Sequence, residues 1–197
     1  MNRFDRAELV AFLRAIDRNL DEKIVIVIVG GAAAAVGYDS NVKTADIDVF
    51  ALRAGSAQAL ARAADAARRE TALGVSVGPA PVAELPENYE SRLKPVRGLK
   101  LHNLTLIVPD KYDIALSKAL RGYPHDIDAI ESMHTHHPLS SKTLVRRFET
   151  ELMKTATADP REIALSMAMV VARLHGFEEG RKLAVRWNVP VPAGRSR

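Results

Sequence analysis

Apolar positions near the N-terminus recur at helical spacing. Phe4, Leu9, Phe12, Leu13, Ile16 and Leu20 fall on one side of a helix expected over residues 3–20. Asp5, with Glu8 three residues on, forms the two halves of a capping box. The period changes at Ile24. Ile24–Val29 is an unbroken β-branched run, too apolar for an edge, so a buried strand is expected there. Gly30 and Gly31 follow at once, then an alanine run that reads as a short helix. A polar loop leads to a second strand over residues 44–50, where Ile47 and Val49 alternate with Asp46 and Asp48.

The rest of the chain continues this alternation and then abandons it. Gly55 breaks the chain, and Ser56 caps an alanine-rich helix over 56–73 with Arg and Asp on its outside. Residues 74–85, with Gly78, Pro79 and Pro81, give a short strand and a loop. Strands are expected at 93–96 and 99–108 around a turn at Gly98. Pro109 stops the second, and Asp110 caps a helix over 111–120. Everything beyond is helical: 126–134, 141–155, 161–174 and 178–186, followed by a loose tail. The order helix, strand, helix, strand, helix favours an α/β fold. The expectation is a mixed sheet flanked by helices over residues 1–135, with an all-helical extension over 136–197.

Chemistry concentrates between Gly30 and Asp48. Strand side chains alternate faces, so Asp46 and Asp48 project together while Ile47 and Val49 enter the core. Adjacent carboxylates repel unless a cation sits between them, and a hard divalent ion such as Mg²⁺ is the usual partner. The strand, the glycine turn and a helix N-terminus present backbone N–H groups to an anion, and glycine lets a phosphate approach the main chain. A phosphate cradle beside metal-binding carboxylates is the equipment of phosphoryl or nucleotidyl transfer. Solvated aspartates at a sheet edge are the bland alternative.

Gly30-Gly31 followed by Thr44-Ala45-Asp46-Ile47-Asp48 resembles the signature of the polymerase-beta-like nucleotidyltransferase superfamily. The threonine two residues before the first aspartate is similar to the AbiEii-type toxin branch and its uncharacterised relatives. Residues 113–130 resemble the downstream half of that branch, a helix with one lysine, a turn and an aspartate opening the next helix. The resemblance covers residues 22–135 and assigns functional roles to Lys118 and Asp126. On their own terms, a lysine on a mostly apolar helix should meet a charge, and a triphosphate suits it; a snorkelling lysine and an N-cap aspartate are the plain alternatives. Thus Asp46, Asp48, Lys118 and Asp126 are the candidate catalytic residues. Gly30, Gly31, Thr44 and Lys118 are the candidate nucleotide-binding residues, and Asp46 and Asp48 the ligands of Mg²⁺ or Mn²⁺.

The resemblance implies an NTP donor and an RNA acceptor, such as a tRNA end, or a protein hydroxyl, with an antitoxin as partner. One departure stands out. Members of the superfamily often supply a third carboxylate from a later strand, and Leu99 to Val108 carries none; Glu84, Glu87, Glu90 and Asp110 are the remaining candidates. A non-catalytic nucleotide- or RNA-binding module and an antitoxin-like partner protein are therefore the rival readings. Elsewhere, Asp113 reads as a first-turn carboxylate, Asp128 as a solvated helix residue, and His134 to His137 as solvated loop. Lys142, Arg146 and Arg147 read as a solvated basic face or, more sharply, an RNA-facing patch.

Composition narrows the classes. The 197 residues contain no cysteine, which excludes disulfides and cysteine nucleophiles and fits a cytoplasmic protein. The N-terminus carries charges where a signal peptide needs an apolar core. No apolar run reaches membrane-spanning length. A formal net charge of +4 permits a nucleic-acid partner, while 5% aromatics argues against a stacking platform for single strands.

Overall fold

The computed structural model describes residues 2–52, 56–80 and 84–191. The break expected at Gly55, Pro81 in the following loop and tail residues 192–197 lie outside them. The chain divides into two compact units, Met1–Ala83 with Glu90–Asp110, and Glu84–Tyr89 with Lys111–Arg197.

The first unit is the mixed α/β part. It contains α1 (Arg6–Arg18), β1 (Ile24–Val29), α2 (Gly30–Tyr38), β2 (Asp46–Leu52), α3 (Ser56–Thr71), β3 (Ser76–Pro79), β4 (Lys94–Pro95) and β5 (Leu104–Val108). The strand order is β3-β2-β1-β5-β4. The apolar run β1 takes the centre, parallel to β5 and antiparallel to β2, with β3 parallel to β2 and β4 antiparallel to β5. Ile24, Ile26 and Ile28 are each at most 1% exposed, whereas Val25 between them is 46% exposed. Ile47 and Val49 of β2 are buried as their alternation requires. Helix α1 starts with the expected capping box: the Glu8 N–H donates to Asp5 Oδ1 (3.0 Å) and the Asp5 N–H to Glu8 Oε2 (2.8 Å).

Three expectations change here for identifiable reasons. The helix expected from residue 3 begins at Arg6, because Phe4 is used instead as a β-bridge to Thr44. The strand expected over 99–108 begins only at Leu104. The buried carboxylate of Asp17, on α1, accepts from the backbone N–H groups of His102 (3.0 Å), Asn103 (2.7 Å) and Leu104 (2.7 Å), so the donors leading into β5 serve that carboxylate. Ser56, expected as a cap, is the first helical residue of α3 and is buried.

The second unit is helical: α4 (Lys111–Arg121), α5 (Pro124–His136), α6 (Ser141–Arg147), a π-helical turn (Phe148–Leu152), α7 (Met153–Thr155), α8 (Pro160–His175) and α9 (Phe177–Arg186). Helix α8 packs against α4, α5 and α9. Gly180 lets α9 lie directly on Ala172 and the Ala168 carbonyl of α8. Helix α5 starts two residues earlier than expected, because Pro124 is pre-set for a first helical position. It also runs through His136, so His134 is not in a solvated loop. Its ring meets His175 of α8 edge-on at 5.3 Å, and its Nδ1 accepts the Leu139 N–H at 3.0 Å. Arg147 is not on a solvated face either. Its side chain is 12% exposed and its Nη1 lies 3.0 Å from Oδ1 of the fully buried Asp113. Among the described residues, no helix is long and apolar enough to cross a membrane.

Candidate active site

The carboxylates of the first unit sit at the mouth of a turn built from glycine. Strand β1 ends at Val29, which pairs with Asp48 across the antiparallel ladder. Gly30 then takes φ +67°, a left-handed conformation that a side chain disfavours. A Cβ placed there would lie 3.1 Å from Asp48 Oδ2. The next residue is tighter still: a Cβ on Gly31 would lie 2.7 Å from Thr44 Oγ1. Both glycines are therefore required where backbone and site side chains come together. Helix α2 begins at Gly30, and Val29 at its N-cap makes no side-chain cap bond to the N–H groups of its first turn.

Thr44 orients the first aspartate. Its hydroxyl donates to Asp46 Oδ1 at 2.9 Å. Its backbone is fixed by two hydrogen bonds with Phe4, whose ring is buried: Phe4 N–H to Thr44 O at 2.7 Å and Thr44 N–H to Phe4 O at 3.1 Å. Asp46 and Asp48 are both half-buried on the face opposite Ile47 and Val49. Gly30, Gly31, Thr44, Asp46 and Asp48 thus form one cluster. Phe4 belongs to it as an anchor that the sequence does not reveal, since its apolar character reads equally as helix face.

The donor set fits a hard divalent cation. Two carboxylates on one strand face, one held by a hydroxyl, are the hard oxygen donors that Mg²⁺ commonly takes. Among the described residues no group of three or more His, Asp or Glu side chains gathers as a metal cage. The third-carboxylate candidates have other partners. Asp110 is buried and accepts from Lys94 Nζ at 2.7 Å. Glu84 accepts from the Thr157 N–H at 3.1 Å, and Glu87 pairs with Lys154 at 2.8 Å.

Lys118 and Asp126 meet in the second unit. Lys118 Nζ lies 3.0 Å from Asp126 Oδ1, and Arg121 Nη2 lies 2.6 Å from the same oxygen. Asp126 is fully buried and Lys118 is 5% exposed. Tyr123, not Asp126, is the N-cap of α5; Asp126 sits in the first turn, where the helix dipole favours its charge. Its Oδ2 is buried with no hydrogen-bond partner, and His125 Nε2 stands 3.9 Å away. Arg121 is the member that sequence reasoning missed. Its position three residues after Lys118, on the same helix face, was the available signal.

Comparison with curated proteins and with solved structures finds no match. A family model does match, over residues 7–172, most of the chain and both clusters. The chain accordingly belongs to the family described as nucleotidyltransferase of unknown function (DUF6036).

Proposed function

We propose that the chain transfers a nucleoside monophosphate from an NTP to a hydroxyl acceptor, on RNA or protein, with a divalent cation held by Asp46 and Asp48. The observation that carries this reading is the Gly30–Asp48 and Thr44–Asp46 arrangement, in which an anion-receptive helix start adjoins two carboxylates on one strand face. A bound Mg²⁺ or Mn²⁺ supplies Lewis-acid charge at the phosphates. The protein does the rest by position. The N–H groups opening α2 bind the phosphate oxygens, and the absence of side chains at Gly30 and Gly31 lets those oxygens reach the main chain. The Thr44 hydroxyl orients Asp46 by donating to its Oδ1, and the carboxylate so held would serve as a ligand of the ion. The acceptor hydroxyl attacks the α-phosphorus in line. The new O–P bond forms as the α–β anhydride bond breaks, pyrophosphate leaves, and the hydroxyl proton passes to water.

Lys118 is the proposed phosphate-facing cation of the second cluster, with Asp126 and Arg121 setting its position. A second reading, a nucleotide-binding module without transfer, is favoured by one observation: the Lys118 charge is already met by Asp126. The experiment that separates the two is incubation with each labelled NTP, Mg²⁺ and total RNA or cell extract. Transfer is expected to label a macromolecule in wild type and not in Asp46→Asn. Equal labelling by that variant would rule out the mechanism, and Mg²⁺-dependent NTP binding without labelling would support the module.

A further inference from the structure

We propose that the first unit holds a second ligand site, where the C-terminal end of α2 faces the edge strand β4, and that it takes a phosphate ester of mononucleotide size as the acceptor. The acceptor role rests on the transferase reading above. A cavity of about 410 Å³ opens there, lined by Arg6, Tyr38, Lys94, Arg97, Val96 and Val108 among others. That volume falls in the range of small-molecule sites. Its chemistry is two-sided. Valine and proline side chains form apolar walls suited to a base or sugar, and cations stand at the rim.

The charge balance selects an anion. Arg6, Lys94 and Arg97 line the cavity with one carboxylate, Asp39, and with Asp110 behind Lys94 counted, one positive charge is left over, that of Arg97. Asp39 is engaged by Arg6 at 2.7 Å. Lys94 is anchored through Asp110, also at 2.7 Å. Arg97 is exposed and makes no ion pair among the described residues. A planar guanidinium with its donors uncommitted, beside an anchored ammonium, matches a phosphate.

Position separates this cavity from the donor site. Helix α2 has 9 residues, so its two ends are roughly 13 Å apart at about 1.5 Å per residue. Strand β1, which leads into Gly30, is separated from β4 by β5, and at about 4.8 Å per strand spacing that is roughly 10 Å. Both routes set the cavity apart from the glycine turn that receives the donor phosphates, yet within reach of it for an acceptor of mononucleotide size. Gly37 helps to shape the wall: a Cβ there would come within 3.1 Å of Val108 Cγ2, so α2 lies directly on β5. The Tyr38 hydroxyl bonds the Pro109 carbonyl at 2.7 Å and fixes the same end.

The test is calorimetric titration of the whole chain in EDTA, which keeps divalent ions from the Asp46–Asp48 pair. The probes are inorganic phosphate, AMP, adenosine and a short single-stranded oligonucleotide. AMP is expected to bind and adenosine not. Arg97→Glu should weaken AMP by about tenfold or more, the loss of one charge-assisted contact plus repulsion, and Arg97→Lys should retain most of the affinity. In a separate titration without EDTA, Mg²⁺–ATP should bind Arg97→Glu as it binds wild type. An oligonucleotide that binds far more tightly than AMP identifies the ester as part of a strand; equal affinities identify a free mononucleotide. AMP binding no tighter than adenosine, or unmoved by Arg97→Glu, overturns the site. Intact AMP binding with no Mg²⁺–ATP binding in wild type overturns the acceptor role together with the transferase reading.

Discussion

Gly31 and Thr44 are in contact so close that no side chain fits between them: a Cβ on Gly31 would stand 2.7 Å from Thr44 Oγ1 and 2.8 Å from its Cβ. Thr44 has no room to retreat, because both its backbone polar groups are bonded to Phe4. In Gly31→Ala the conflict must be relieved by turning the threonine hydroxyl off Asp46 or by moving the start of α2. The expected outcome is loss of most NMP transfer with a stability cost of about 1–3 kcal/mol, the usual range for overpacking. Transfer assays and urea melts on the same preparation check it. A variant with wild-type transfer would show that the Gly31–Thr44 contact does not set the site.

Thr44→Val isolates the hydroxyl. The substitution keeps the volume and the backbone bridge to Phe4 but removes the 2.9 Å hydrogen bond to Asp46 Oδ1. An aspartate released from its orienting donor should bind the cation in a less defined pose. Transfer at limiting Mg²⁺ should fall about tenfold, the scale expected for loss of an outer-shell partner of a metal ligand, and rise again at high Mg²⁺. A fall that excess Mg²⁺ does not relieve would assign Thr44 to the nucleotide instead.

What the sequence discloses and what it hides divide along contact distance. The central strand, the glycine turn and the aspartate pair are written in consecutive residues with period-two alternation. The Asp5–Glu8 capping box is likewise local, and it forms as read. Features made by residues far apart in sequence stay hidden. Asp17 reads as a surface carboxylate of an amphipathic helix until its partners at His102 to Leu104 arrive some eighty-five positions later. Arg147 reads as solvated because Asp113, which it neutralises, is on another helix. The α5 start is legible in Pro124, but Asp126 two residues on is also a good cap and competes with it. In the site, Gly31 and Thr44 carry their motif in sequence, but the reason for the motif, a steric contact across the cluster, exists only in space.

The buried pair in the second unit sets up a test of structure against function. Asp126→Ala removes the carboxylate 3.0 Å from buried Lys118, which should cost about 3–5 kcal/mol. The double variant Lys118→Met with Asp126→Leu removes both charges and should regain most of that stability. If Lys118 serves the phosphates, the double variant folds and transfers nothing. Full activity in it would reduce the pair to a structural device.

Asp17 ties α1 to the entry of β5 through a charge. Burial raises its pKa, but the backbone N–H groups of His102, Leu104 and Asn103 outweigh that, so the carboxyl is held below the usual range. A depressed folded pKa means that the bound anion contributes stability above the unfolded value, near pH 4, and that the contribution is lost as pH falls through the folded value. Asp17→Asn should therefore be less stable than wild type at neutral pH by about 2–3 kcal/mol, the scale of hydrogen bonds to a charged acceptor. The difference should shrink in strong acid. Parallel denaturant melts at neutral pH and below pH 3 measure it, and a gap independent of pH would place the effect in packing.

His134 shifts in the same direction, in the second unit, but there the favoured form is neutral. Its burial, and then the positive fields of His175 on α8 and Lys111 on α4, lower its pKa against the weaker pull of Glu131 on α5. The Leu139 N–H donates to its Nδ1, so the neutral ring is the form the structure uses. In the unfolded chain the imidazole takes a proton near its ordinary value of about 6.5. Between that value and the lower folded one the unfolded state binds more protons, so stability falls as pH drops through this window and changes no further below it. His134→Asn keeps an acceptor for Leu139 and cannot titrate. It should flatten the decline in melting temperature between about pH 7 and pH 5 without lowering stability at pH 7. If wild type and variant decline in parallel, the acid sensitivity of the helical unit arises at another group, and the Leu139–His134 bond is indifferent to pH.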